Sequence, residues 1–147
     1  MRNFLLILSL LALLAGCDMR ETYEDVSTEP RSRQAIGIRY EVIGLVYAHG
    51  IRPHSQAPVD YVVILPPPGI GGTMIAWREP VPKGSIITVR KVVRTNRVFE
   101  GRMNLGVELD GMPLPVDAPI TIELVRENEG KGYLDLNPEI YRRLPAG

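Results

Sequence analysis

The side chains that could do chemistry in this sequence are few, and each requires a partner. Cys17 is the sole cysteine, His49 and His54 are the two histidines, and Ser55 and Ser85 are the serines beyond residue 34. A nucleophile needs an adjacent base. Neither serine sits in a Gly-x-Ser-x-Gly elbow, and Ser85 simply follows Gly84 at the head of an apolar stretch. The histidines are five residues apart in a segment containing Gly50, Pro53 and Pro58, and no neighbouring cysteine or carboxylate completes a set of metal ligands. Both are therefore expected in a solvated loop, with no metal and no cofactor implied. Asp60, Glu108 and Glu123 fall on polar positions of alternating segments, where carboxylates ordinarily face water. Gly69-Ile70-Gly71-Gly72 lacks the Lys-Ser/Thr ending of a phosphate loop, and Pro66-Pro67-Pro68 stiffens the connection before it.

The denser signal is basic. Arg90, Lys91, Arg94, Arg97 and Arg102 occur within thirteen residues against one acid, Glu100. Arg90 and Arg94 share strand parity, so they are expected to project from one face. A patch of Arg90, Arg94, Arg97 and Arg102 would suit an anionic lipid, a phosphate-bearing cell-wall polymer or an acidic envelope protein. Its bland counterpart is a solvated face balanced by acids from neighbouring strands. Tyr61 and Trp77 could serve as ligand platforms or as core.

What must position Cys17 is the segment before it. Met1-Arg2-Asn3 carries one positive charge, residues 4–14 are apolar except for Ser9, and Ala15-Gly16 are small. A cationic start, a short apolar core and small residues before a cut are the marks of a secretory signal peptide. A spanning helix needs about 20 apolar residues, whereas Asp18, Arg20 and Glu21 interrupt this run. The tetrapeptide Leu14-Ala15-Gly16-Cys17 resembles the lipobox of bacterial lipoproteins. That resemblance covers the first seventeen residues only. It implies cleavage before Cys17, a diacylglycerol on its sulfur and commonly an acylated amino terminus, making the membrane the first partner. Each buried methylene contributes about 0.8 kcal/mol and one chain holds only reversibly, so two or more chains make attachment lasting. Aspartate at the next position, here Asp18, goes in enterobacterial members with retention at the periplasmic face of the inner membrane.

Loss of residues 1–16 removes Arg2 and no acid, leaving 16 basic and 17 acidic residues from the original 17 of each. This near neutrality gives no reason to expect nucleic acid as a partner. With Cys17 acylated, no thiol remains for disulfides, so the domain must hold by burial alone. Residues 18–34 carry eight charged side chains and only Met19, Tyr23 and Val26 as sizeable apolar ones. Residues 17–34 therefore read as a lipidated terminus and flexible tether, and residues 35–147 as a single β domain.

Within that domain the apolar period is two. Ile36, Ile38, Tyr40 and Val42 alternate with polar residues. The parity then flips through Gly44 to Ile43, Leu45 and Tyr47, which predicts a bulge or sharp bend. Residues 48–58 read as a loop, 59–65 as a buried strand, and 73–77 as a short strand. Residues 85–95 form the longest β run, with Ile87, Val89 and Val93 on one side. Met103 to Leu109 alternates cleanly. Asp110-Gly111 suits a tight hairpin, with a return strand at Met112, Leu114 and Val116 whose Pro113 and Pro115 confine it to an edge. Residues 120–124 and 133–136 complete the set, and Asn137-Pro138 opens a short C-terminal helical turn through Leu144. The expectation is an all-β small barrel or sandwich of about seven short strands. The functional expectation is a non-enzymatic envelope binding module. The alternatives are an assembly subunit that adds a partner strand at an edge and, behind it, a small envelope hydrolase.

Overall fold

The computed structural model describes residues 21–96, 102–125 and 127–147. Among these residues nine strands and one short helix follow in order: β1 (Tyr23–Asp25), α1 (Pro30–Arg33), β2 (Arg39–Val42), β3 (Tyr47–Ile51), β4 (Tyr61–Leu65), β5 (Ile75–Pro80), β6 (Ile86–Thr95), β7 (Arg102–Asp110), β8 (Ile120–Glu123) and β9 (Tyr141–Arg143). The protein is all-β. Among the described residues the strands form one open sheet in the order β5-β3-β4-β8-β7-β6-β2-β9, with β1 added to β6 beside β2, not closed into a barrel. Among the described residues the strand pairings are antiparallel except β4 with β8, which run parallel.

The expected strand at 59–65 is present as β4, and its unbroken apolar run has a simple cause. Val62 and Ile64 enter the main core, while Val63 and Leu65 enter a smaller cluster with Ile51. A strand covered on both faces does not need alternation. The main core gathers Tyr40, Val42, Ile87, Val92, Leu105, Ile122, Leu136 and Tyr141, among others. Buried Asn128 ties the C-terminal segment to β4. Its Nδ2 donates to the Ile64 carbonyl at 3.0 Å, and its Oδ1 accepts from Tyr141 Oη at 2.9 Å.

Several local expectations give way to long-range pairing. The segment read as a tether is folded from β1 onward. Tyr23, Glu24 and Asp25 pair with Thr95, Arg94 and Val93, and Val26 is buried. A polar three-residue strand has no period to betray it, and its partner lies some seventy residues away. The bend at Gly44 is real: Ile43 and Gly44 both donate to the Ile140 carbonyl, at 2.8 and 2.9 Å. A Cβ on Gly44 would stand 2.9 Å from Ile140 Cα. Residues 48–51, expected in a loop, complete β3 and are buried.

Further along, Asp110-Gly111 closes no hairpin, and residues 112–116 form no strand. Pro113, Pro115 and Pro119 lack ladder donors. The chain therefore detours before β8 returns on β7, although Met112 and Leu114 still pack on the core. Residues 133–136 contribute only an isolated bridge, Leu136 with Glu129. The C-terminal helix is not formed. Asn137 does cap one turn, accepting from Glu139 N–H at 3.0 Å through its side chain and from Tyr141 N–H at 2.8 Å through its carbonyl. Pairing with β2 then draws the chain out as β9.

Candidate functional site

A cleft of about 340 Å3 opens between α1, the β2–β9 edge and the turn at 133–135. On β2, Tyr40 is an inward residue whose cross-strand partner is Arg143 on β9. The turn is held in an uncommon shape. Leu134 has φ 57, the left-handed region that non-glycine residues rarely occupy, and its side chain is buried in the core. Asp135 locks the turn from the other side, its Oδ1 accepting from Tyr40 Oη at 3.0 Å and from the Leu136 N–H at 3.1 Å. Strain of this kind persists only where the surroundings over-determine it, and it concentrates at functional sites.

Tyr133 is thereby presented to solvent, and the Arg31 guanidinium from α1 lies over its ring, 4.4 Å from the centroid. Gln34 borders the same cavity. Burial, reinforced by the bond to Asp135, pushes the Tyr40 phenol up to about 12, while the positive charge of Arg143 acts the other way. Tyr40 is thus a neutral donor at physiological pH, committed to Asp135. The cleft offers an aromatic surface, two guanidinium groups and an amide. These are binding groups, and a cavity of this size is at the lower end for small-ligand sites.

The basic strand face has a different character. Arg90 is bridged to Glu108 at 2.7 Å, Lys91 to Asp25 at 3.6 Å, and Arg94 to both Glu24 at 3.2 Å and Glu29 at 2.7 Å. Nor do Arg90 and Arg94 share a face as expected. The register steps from Val89↔Val107 to Lys91↔Gly106, leaving Arg90 as the extra residue of a bulge. Arg90 and Lys91 are both exposed between buried Val89 and Val92, and every later residue changes side. Val92 takes the inward place assigned to Val93. Arg102 is half-buried on β7, and Arg97 lies outside the described residues, as does Cys17.

His49 and His54 are not brought together. His54 is exposed, whereas His49 is fully buried on β3. Its ring meets Tyr47 edge-on at 6.4 Å, and Gly69 packs so closely that a Cβ there would stand 2.8 Å from Nε2. Neither ring nitrogen has a well-formed hydrogen bond among the described residues. Burial holds the imidazole below its ordinary pKa and Arg78 adds to this, against a weaker opposing influence of the Val63 and Tyr47 backbone. Ser85 is buried against Gly111, and Ser55 is exposed. Among the described residues, no three His, Cys, Asp or Glu side chains gather where they could hold a metal ion.

Tyr61 lines a second groove of about 300 Å3 with Tyr23, Asp60, Asn104, Thr121 and Glu123, whereas Trp77 is half-buried against the main core. Sequence reasoning missed Arg31, Tyr40, Tyr133, Asp135 and Arg143 as a group, because four separate segments supply them. Only the Arg142-Arg143 pair was a visible hint.

The architecture is that of an open-sheet β protein with a polar, cation-bearing cleft between α1 and β9. Comparison of the chain with known protein families, characterised proteins and solved structures finds no match.

Proposed function

We propose that this protein is a bacterial envelope lipoprotein, cleaved before Cys17, acylated on that sulfur and acting without catalysis as a binding module. The observation that carries the reading is Leu14-Ala15-Gly16-Cys17 at the end of a short apolar leader. The fold gives that tetrapeptide a consequence. Because β1 begins at Tyr23, only five residues separate Cys17 from the sheet. At 3.3–3.6 Å per extended residue, the domain would sit within roughly 20 Å of its anchor. Such a module works at the membrane surface, and Asp18 favours the periplasmic face of the inner membrane. The cleft at Arg31, Tyr133 and Arg143 replaces the carboxylate-paired strand face as the recognition surface.

A second reading, a subunit of an envelope assembly, is favoured by the open sheet. Strand β5 pairs only with β3 among the described residues, leaving an edge on which a partner strand could be added.

Anchoring is tested by fractionating cells that express the wild type and Cys17→Ser. The wild type is expected with membranes and the variant in the soluble envelope fraction, with mass analysis of the wild type showing an acylated amino-terminal cysteine. An unmodified thiol, or a serine variant that remains membrane-bound, would defeat the assignment.

A further inference from the structure

We infer that the cleft between α1 and β9 is a receptor for a single oxyanion group, a carboxylate or phosphate carried by a small ligand, gripped by Arg31 and Arg143. The inference rests on the binding-module reading and adds the chemistry of the ligand. It begins from a contrast along β9. Arg142 turns outward and is paired with Glu41 through two hydrogen bonds to one carboxylate oxygen. Its neighbour Arg143 faces the cleft, and no carboxylate among the described residues lies within ion-pair distance of it or of Arg31.

Asp135, the one acid among the described residues that line the cleft, does not fill that role. Its Oδ1 already accepts from Tyr40 Oη and Leu136 N–H, and it serves to hold the strained turn. Two guanidinium groups against one committed carboxylate leave the cavity positive. In a concave site, a residual charge of this sign draws in an anion.

The geometry narrows the ligand further. Arg31 lies over the Tyr133 ring, 4.4 Å from its centroid, a cation–π contact that positions its guanidinium N–H donors beside the cavity. Those donors form a rigid fork that matches a planar or tetrahedral oxyanion. Tyr133 offers apolar surface beside the fork, and Gln34 can add an amide donor. The arrangement and a cavity of about 340 Å3 fit one charged head with a short apolar portion.

The test is an NMR titration of the full chain in a non-ionic detergent, following the arginine Nε–H and tyrosine ring signals. The probes are inorganic phosphate, N-acetylalanine and its uncharged carboxamide. Saturable shifts at Arg31, Arg143 and Tyr133 are expected with at least one oxyanion and not with the carboxamide. Response to phosphate alone, or to the carboxylate alone, identifies the source, and either supports the inference. Arg31→Gln and Arg143→Gln should each weaken binding at least tenfold, whereas Arg142→Gln should leave it within twofold. No saturable response to either oxyanion, an equal response to the carboxamide, or affinity retained in the folded Arg31→Gln/Arg143→Gln double variant would overturn it. Membrane fractionation is read separately, so an anchored protein with an unresponsive cleft would sink this inference alone.

Discussion

Tyr141 on the last strand donates its buried hydroxyl to Asn128 Oδ1 at 2.9 Å, while the Asn128 amide donates to the Ile64 and Glu123 carbonyls at 3.0 and 3.3 Å. One asparagine thus joins the C-terminal strand to two strands in the middle of the sheet. Tyr141→Phe would keep the packing but leave Asn128 Oδ1 buried without its donor. Such a group costs about 1–3 kcal/mol. Urea unfolding should report a loss in that range, and Asn128→Ala, which abandons three bonds, should lose more. A Tyr141→Phe variant as stable as the wild type would show that the network contributes nothing.

Tyr40 couples the cleft to alkaline stability. Its phenol keeps its proton up to about 12 in the folded protein, against an ordinary 10.0. Between those values the unfolded chain releases a proton that the folded one retains, so the contribution is complete below about pH 10 and is lost as pH rises through 12. Denaturant melts from pH 9 to 12 should show a shallower decline for Tyr40→Phe than for the wild type. Parallel curves would contradict the assignment.

His49 sets the sensitivity at mildly acidic pH. Its buried imidazole binds a proton less readily than it does in the unfolded chain. Stability is therefore full above the ordinary value of 6.5 and declines as pH falls below it, by at most about 1.4 kcal/mol per unit for one proton. His49→Phe should flatten the profile between pH 7 and 5, above the range where carboxylates titrate. A wild-type profile already flat there would refute this.

The basic strand face should prove to be local electrostatics. Arg94 clamps Glu24 of β1 and Glu29 beside α1, but all three side chains are substantially exposed, and such pairs contribute about 0–1 kcal/mol each. Arg90→Ala, which releases Glu108, should change stability by less than about 1 kcal/mol. Arg94→Ala should do slightly more harm and show its effect as faster amide exchange in β1. Loss of several kcal/mol from Arg90→Ala would mean that the face carries more than surface pairing.

The sequence by itself determined the class of this protein. Alternation at Met103, Leu105, Val107 and Leu109, and the doubly buried run in β4, dictate strands because side-chain period and burial are properties of neighbouring residues. Gly44 likewise announced its bend through a change of parity. Partners, by contrast, are chosen across the whole chain, and only the tertiary structure decided them. A polar three-residue segment became β1 because β6 was there to receive it. One extra residue at Arg90 reversed the facing of everything after it, which separated Arg90 from Arg94. His49 left the solvent because β4 and β5 flank it. The cleft exists only where α1, β2, the 133–135 turn and β9 meet, so no local pattern of residue types could have shown Arg31 and Arg143 facing one cavity.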